Sequence, residues 1–203
     1  AADLKEQAAG PPLNPVEMGH KSFDDICAIL AEDKAFSEAF KKVYPDGFTQ
    51  SNITEAIAEF EMTLLTPSRF DDYLQGDHNA LTADEIAGYE TFKQNKCATC
   101  HVGMNLGGQS FDYMGIKGDY FNFRGLTDGD NGRYAVTKNE YDRHKFKTPT
   151  LRNVFLTAPY MHDGSVKTVE ESVRLMMEFQ TGKQASEQEI KSITTFLKSL
   201  TGK

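Results

Sequence analysis

Two cysteines and one histidine lie close together in the stretch NKCATCHVG, residues 95–103. Cys97 and Cys100 are separated by two residues and His101 follows directly, which makes the pattern C-x-x-C-H. With this spacing, two thiols add to the vinyl groups at one edge of a haem while the adjacent histidine reaches the iron. The pattern predicts that Cys97 and Cys100 anchor one c-type haem covalently and that His101 is its proximal ligand.

Two other uses of a C-x-x-C pair fit the sequence less well. A thioredoxin-like redox pair follows a strand of a βαβ unit, whereas this pair follows an amphipathic helical pattern. A zinc site needs further ligands at short spacing, and the remaining histidines are scattered. They are His20, His78, His144 and His162. A thiol or zinc module stays open as an alternative that requires both cysteines to be free or bound to metal.

A haem that only transfers electrons usually keeps a second axial ligand, and methionine in that place raises its reduction potential. Met176 lies in a predicted helix in register with Val169 and Val173, so its thioether should leave the apolar face of that helix. Met177 is its immediate rival on the same helix. For any one methionine, core packing is the simpler explanation, and helical spacing weakens it for Met176 and Met177 alone.

Helices dominate the elements that must position these residues. Thr82 and Glu85 form a capping box at the start of a helix that ends just before the cysteines. Its apolar residues Ile86, Tyr89 and Phe92 recur with helical spacing and should face the core. Further helices are predicted over FDDICAILAED, KAFSEAFKKVY, SNITEAIAEFEMTLL, VEESVRLMMEF and QEIKSITTFLKSL.

Two more capping boxes are predicted, one from Thr168 to Glu171 and one from Ser186 to Glu189. In the helix SNITEAIAEFEMTLL, the residues expected on the core-facing side are Ile53, Ile57, Phe60 and Leu64. Residues 103–147 lack periodicity and are rich in Gly, Asp and Asn, so they should form a long loop that wraps something or has a function. The predicted fold class is therefore mainly α with long irregular loops.

The composition favours a globular protein with one substantial core. Its 203 residues include 22 Lys and Arg against 30 Asp and Glu, a formal net charge of -8. This acidic balance disfavours binding to nucleic acid or anionic lipid and suits basic partner proteins. No apolar run approaches the roughly 20 residues that span a bilayer, so no membrane span is expected. The third cysteine, Cys27, lies among helical apolar residues and is expected to be buried.

Four stretches together resemble the bacterial di-haem cytochrome c peroxidases. They are GPPLNPVEMG, AIAEFEMTLLTPSRFD, CATCH and KTPTLRNVFLTAPYMHDGSVKTVEESVRLM. They extend over nearly the whole chain in the order of the family, and TPTLRN followed by PYMHDGS is the most specific piece. The resemblance implies a cytochrome c-like helical haem domain and a peroxidase that reduces hydrogen peroxide to water.

In that family one haem binds peroxide and a second haem passes electrons to it, and the resemblance implies that this chain holds the second. Met176 matches the distal methionine, where the related methylamine-dehydrogenase-maturing enzymes have a tyrosine. Because one C-x-x-C-H is present, the peroxidatic haem is expected in an N-terminal domain outside these residues, and the chain alone is expected to be inactive. Gln7 and Glu17 match the distal glutamine and glutamate of the peroxidatic pocket. Residues 1–20 are accordingly assigned to that pocket and 21–203 to the C-terminal haem domain.

The resemblance also implies a second metal and several partners. The family binds calcium between its domains, and the matching positions are Thr157 and Pro159, whose backbone carbonyls are oxygen ligands of the kind that calcium takes. A small cytochrome c or cupredoxin is expected as the electron donor, and a homodimer as the assembly. Covalent haem attachment further predicts a periplasmic protein. A stand-alone mono-haem electron carrier remains the alternative function, supported by the single motif.

Overall fold

Helices form most of the chain in the computed structural model, which describes residues 1–202, and this confirms the predicted mainly α fold class. Two compact units are present, Ala1–Leu65 and a second that begins at Thr66. The division into residues 1–20 and 21–203 concerns which haem each segment serves, and it stays a prediction. No helix among residues 1–202 combines the length and the apolar composition required to cross a lipid bilayer.

The first unit consists of short helices, most of them started by a side-chain cap. They are α1 (Leu4–Ala8), α2 (Gly10–Leu13), α3 (Phe23–Glu32), α4 (Lys34–Val43) and α5 (Gln50–Met62). The capping side chains accept hydrogen bonds from backbone N–H groups that have no partner inside the helix. These caps are Asp3, Ser22, Asp33 and Thr49. An ion pair between Lys5 and Glu55, 2.6 Å from Nζ to Oε2, joins α1 to α5.

The core-facing side of α5 differs from the prediction. Ile53 is buried and Ile57 half-buried, but Phe60 and Leu64 are 63% and 59% exposed. The helix ends before Leu64, so the helical spacing that placed Leu64 on the apolar face does not reach it. Cys27 also differs, because it is half-buried in α3 instead of fully buried.

The second unit contains the cysteine motif within a set of helices and irregular segments. Its elements are α6 (Arg69–Leu74), α7 (Ala83–Gln94), β1 (Phe111–Tyr113), α8 (Tyr120–Arg124), α9 (Tyr134–Thr137), β2 (Lys145–Lys147), α10 (Val169–Met176) and α11 (Glu187–Lys198). A π-helical turn, Met177–Thr181, follows α10 directly. Residues 103–147 hold only short pieces of regular structure, as predicted, and β1 pairs antiparallel with β2.

Helices α7 and α11 pack directly against each other at a glycine. A Cβ at Gly88 would lie 2.2 Å from the carbonyl oxygen of Ser192 and 2.9 Å from Cβ of Phe196. Phe92 of α7 lies beside the same point, with its ring centroid 5.4 Å from that of Phe196. The absence of a side chain at Gly88 therefore sets how closely the helix that carries the cysteine motif approaches α11.

The helix starts agree with the predicted capping boxes at two of three places. Complete capping boxes start α7 at Thr82 and α11 at Ser186. In each, the hydroxyl of the cap residue accepts a hydrogen bond from a backbone N–H of the first turn, and a glutamate carboxylate accepts one from the backbone N–H of the cap residue. At α10 the Thr168 hydroxyl accepts a hydrogen bond from the Glu171 N–H, 3.2 Å. The Glu171 carboxylate makes no return bond within residues 1–202, so the box predicted there is wrong in its second half. Glu171 is exposed and its side chain stays in solvent.

Two apolar clusters fill the second unit. The main core joins α7, α10 and α11, and its buried members include Phe92, Leu106, Val169, Val173, Met177 and Phe196. The second cluster consists of Met114, Tyr120, Phe121 and Phe179. Partly buried residues that pack against the second cluster are Phe146, Met161, Leu175 and Met176. The end of α10 thus lies between the two clusters, with one methionine in each.

Candidate haem-binding site

The turn after α7 holds the cysteine motif in a fixed conformation. Lys96 adopts a left-handed backbone with φ of +63°, which ends the helix and starts a 3-10 turn at Cys97. Asn95 is 7% exposed, and its side chain donates to the Thr91 carbonyl, 2.9 Å, and accepts from Nζ of Lys183, 3.1 Å. Because the polar atoms of this buried amide are satisfied, the turn has little freedom to move.

His101 has the hydrogen bonding that a metal-ligating histidine requires. Its Nδ1 lies 3.1 Å from the Leu106 carbonyl oxygen, an acceptor, so Nδ1 carries the proton and Nε2 keeps a lone pair. Burial lowers the pKa of His101, while hydrogen bonds to the carbonyls of Leu106 and Pro149 act in the opposite direction. The neutral ring, which is the form that binds iron, is therefore favoured at physiological pH.

Neither thiol has the lowered pKa that is typical of a redox-active cysteine. Burial raises the pKa of Cys97 to about 11. Burial, with the charge of Asp112, also raises the pKa of Cys100. Reactive thiols of redox enzymes instead have lowered pKa values. Within residues 1–202, no three His, Cys, Asp or Glu side chains are grouped so that they could hold a metal ion.

The two methionines at the end of α10 face different clusters, and this corrects the register argument. Val169 and Val173 share the main core with Met177, which is 1% exposed, and not with Met176. Met176 is half-buried and packs against the second cluster. Cys97 packs against the main core, so the helix that carries both methionines and the cysteine motif border the same apolar interior. The axial role of Met176 stays a prediction.

The residues present fit a c-type haem. A histidine with its lone pair free, two thiols on one turn and apolar clusters containing methionine are the donor set and the surroundings that such a group needs. Lys183 and the Leu106 carbonyl were not predicted as parts of the site. Leu106 lies in a glycine-rich loop with φ of +47°, and no spacing rule connects it to His101.

A buried charge cluster borders the second cluster and was missed by the sequence analysis. Asp130 is 0% exposed and accepts hydrogen bonds from the Thr127 backbone N–H, 2.6 Å, and from Nε2 of His162, 2.6 Å, beside the guanidinium of Arg124. Burial acts to raise the pKa of Asp130, but these hydrogen bonds and the Arg124 charge hold it below its usual value. The centroid of the His162 ring lies 4.2 Å from that of the Phe146 ring. His162, one of the histidines that the sequence pattern did not connect to any site, therefore packs in this part of the unit.

The remaining predicted site residues lie at exposed positions. Gln7 is in α1, and Glu17 follows α2, where its carboxylate accepts a hydrogen bond from Nδ2 of Asn14, 2.9 Å. Both belong to the first unit. Thr157 and Pro159 belong to the second unit and are exposed, with their carbonyls close in sequence on one irregular segment. Their roles in peroxide and calcium binding stay predictions.

Comparison with protein families matches the chain in two parts. Residues 1–79 match the family model described as di-haem cytochrome c peroxidase. Residues 86–201 match the model described as cytochrome c. The second match contains the cysteine motif, His101 and Met176.

Curated relatives match over the whole chain but are longer. Cytochrome c peroxidase Ccp of Escherichia coli K12 is 54% identical over 203 residues, which is 100% of this chain and 43% of that protein. Cytochrome c551 peroxidase of Nitrosomonas europaea is 46% identical over 206 residues, which is 100% of this chain and 60% of that protein. The chain therefore spans about half the length of these relatives.

A solved structure shares the architecture. The crystal structure of a MauG-like protein associated with microbial copper homeostasis superposes with a TM-score of 0.82 at 26% identity. The superposition covers 99% of this chain and 69% of that chain. The helical arrangement described above thus occurs in a protein of related sequence.

Proposed function

This chain belongs to the di-haem cytochrome c peroxidase family, and from that premise we propose that it carries the electron-transferring haem of an enzyme that reduces hydrogen peroxide to water. The observation that carries the proposal is the state of His101. Its Nδ1–H donates a hydrogen bond to the Leu106 carbonyl oxygen. The lone pair of Nε2 is therefore available to bind an iron beside the Cys97 and Cys100 thiols. The full reaction consumes two electrons and two protons for each peroxide.

Each residue of the site has a distinct task in this proposal. Cys97 and Cys100 would hold the haem through two thioether bonds, and His101 would ligate its iron. Such a group would supply one-electron transfer, and apolar surroundings would raise its potential by disfavouring the more charged oxidised state. Met176 would be the second protein ligand, and a thioether would also favour the reduced iron.

With both His101 and Met176 as ligands, this haem would not bind peroxide, so we assign peroxide binding to a second haem outside these residues. Glu17 would move a proton between the two oxygens of peroxide, and Gln7 would orient peroxide by hydrogen bonding. Both residues lie in the part of the chain matched by the peroxidase model. Their exposure on the first unit is compatible with a role toward a further domain.

Partners and location follow from the same proposal. A small cytochrome c or cupredoxin would deliver electrons to the haem held by this chain, a homodimer would form the working assembly, and the periplasm would be the compartment. Calcium would bind the carbonyls of Thr157 and Pro159 with oxygen ligands from elsewhere. A stand-alone electron carrier remains the second candidate, favoured by the single C-x-x-C-H motif.

The first experiment measures covalent haem by a pyridine haemochrome spectrum after expression with a haem-attachment system. We expect one haem per chain in the wild type and none bound covalently in the double variant Cys97→Ala with Cys100→Ala. Cys27→Ala is the matched control, because Cys27 lies in the first unit and should keep one haem. Covalent haem in the double variant, or none in the wild type, would overturn the proposal.

A second measurement separates the two candidate functions. Peroxide turnover with a reduced small cytochrome c is measured in the protein containing a further haem domain, with and without Met176→Leu. The peroxidase proposal predicts turnover in that protein and a large loss in the variant. A protein that exchanges electrons but never turns over peroxide would support the carrier instead.

A further inference from the structure

One glutamine side chain ties the turn behind Met176 to a loop on the second cluster. Oε1 of Gln180 accepts hydrogen bonds from the N–H groups of Gly115, 2.8 Å, and Ile116, 3.0 Å. Its Nε2 donates to the carbonyl oxygen of Tyr113, 3.0 Å. Since two N–H groups need an acceptor and the carbonyl needs a donor, the partners fix the orientation of the amide.

The same two segments also touch through their backbones. The Lys117 N–H donates to the carbonyl oxygen of Phe179, 2.8 Å. Gly118 lies so close that a Cβ there would be 3.0 Å from a ring carbon of Phe179. Met114 of this loop and Phe179 of the turn are both buried in the second cluster, against which Met176 packs. Loop and turn therefore both contribute a buried side chain to the cluster against which Met176 packs.

The turn has a conformation that needs such support. Residues Met177–Thr181 form a π-helical turn, a wide and uncommon geometry that occurs frequently at functional sites. It begins at the residue after Met176, and Gly182 with φ of +72° ends it. Within this turn, the Gln180 side chain makes three hydrogen bonds to residues outside it.

We propose that Gln180 is a positioning residue, which keeps the Met176 thioether at the haem iron and so keeps that iron closed to external ligands. This inference rests on the proposed function, because it takes Met176 as the axial ligand. A neutral thioether is a soft ligand for ferric iron, so its hold depends on how firmly the protein places it. An electron-transferring haem in a peroxidase benefits from such closure, because peroxide and its products are then kept from this iron.

The test measures imidazole binding to the ferric holoprotein, followed by loss of the sulfur-to-iron charge-transfer band. Gln180→Leu removes all three hydrogen bonds and leaves an apolar side chain in their place. We expect the dissociation constant for imidazole to fall about tenfold. This is the change that corresponds to the net free energy of roughly one hydrogen bond. Gln184→Leu is the matched control, because Gln184 is exposed and its side chain makes no hydrogen bond within residues 1–202. The control should bind imidazole as the wild type does.

The outcomes separate this inference from its premise. A wild-type protein without the charge-transfer band, or a Met176→Leu variant that keeps it, refutes the axial methionine before any Gln180 variant is examined. With the band in place, an unchanged imidazole affinity in Gln180→Leu overturns the positioning role. If Gln180→Leu does not take up haem, Gln180→Asn decides, since its amide is one methylene too short for the loop. A tenfold gain there supports the inference; unchanged affinity, or failure to take up haem, refutes it.

Discussion

At the scale of single residues, the chemistry of the site depends on the hydrogen bond of His101, which the sequence does not predict. The C-x-x-C-H motif predicted Cys97, Cys100 and His101 because covalent attachment fixes their spacing. The partner of His101 Nδ1 is the carbonyl of Leu106, and any residue type supplies a carbonyl. The acceptor is therefore determined by the backbone of a glycine-rich loop and could be found only in the structure.

The adjacent methionines Met176 and Met177 give a residue-scale prediction. Met176→Leu should abolish the sulfur-to-iron charge-transfer band, because it removes the thioether but keeps an apolar side chain of similar volume. Met177→Leu should keep the band and change the free energy of unfolding by less than about 1.5 kcal/mol, the usual effect of such a swap in a core. The ferric absorption spectrum and thermal unfolding of both variants check this. The opposite spectra would identify Met177 as the ligand.

The comparison of these two residues also shows what helical spacing can and cannot predict. Val169, Val173 and Met176 fit a helical repeat, yet Met177 is the one that joins the valines in the main core. The α-helix ends at Met176 and a π-helical turn follows, so the residues near its end deviate from the ideal repeat. The sequence predicted that a helix would form here. It did not predict which apolar cluster Met176, the last residue of α10, would face, because the turn that follows is bonded to the loop before α8.

At the scale of elements, the packing of α7 on α11 fixes where the cysteine motif lies. The sequence predicted both helices and their capping boxes, because caps and apolar spacing are local signals. It did not identify Gly88 as a packing residue, because a glycine within a helix reads only as a residue of low helix propensity until the neighbouring helix is known. The structure gives it a role: Gly88 faces Ser192 and Phe196 without room for a side chain.

Substitution of this glycine tests the helix pairing. In an open helix, Gly→Ala stabilises by about 1 kcal/mol through propensity. At Gly88 the added Cβ would lie 2.2 Å from the Ser192 carbonyl oxygen, so Gly88→Ala should lower the free energy of unfolding by about 1–3 kcal/mol overall. Chemical denaturation of the two proteins measures the difference.

A matched control isolates the steric effect. Apart from its chain neighbours, Gly10 in α2 has no atom within 4 Å of an added Cβ, so Gly10→Ala should lower the free energy of unfolding by less than Gly88→Ala does. Equal effects of the two substitutions would show that the α7 and α11 contact is looser than described.

At the scale of the whole molecule, partly buried ion pairs join distant parts of the second unit. Arg69 of α6 donates to the carboxylate of Glu85 at the start of α7, 2.8 Å from Nη1 to Oε2. Arg152, on the segment between β2 and α10, donates to Asp71 of α6, 2.6 Å. Sequence patterns predict neither pair, because the partners are far apart in the chain and charged residues are most often solvated. These pairs make the stability of the second unit depend on pH.

The Glu85 pair gives the pH prediction. Hydrogen bonding to Arg69 holds the pKa of Glu85 below its usual value of 4.5 in spite of burial, so the folded state prefers the ionised form. A lowered folded pKa contributes stability that is fully present above the unfolded value and is lost as the pH falls through the folded value. Glu85→Gln should therefore reduce the free energy of unfolding at pH 7 by about 1–2 kcal/mol, the range for a hydrogen-bonded charge. The difference from the wild type should shrink below about pH 4.

The dependence on pH distinguishes this effect from a packing defect, because lost packing would reduce stability by the same amount at every pH. Glu171→Gln is the matched control: Glu171 lies in the second unit, is exposed in α10, and its carboxylate makes no ion pair within residues 1–202. Urea denaturation at a series of pH values from 3 to 7, followed by haem absorbance so that the second unit is observed, measures both variants against the wild type. A Glu85→Gln difference that stays constant down to pH 3 would show that the carboxylate acts through its shape and not its charge. The acid sensitivity of the second unit would then have to come from other ion-paired carboxylates, the half-buried Asp71 and the buried Asp130.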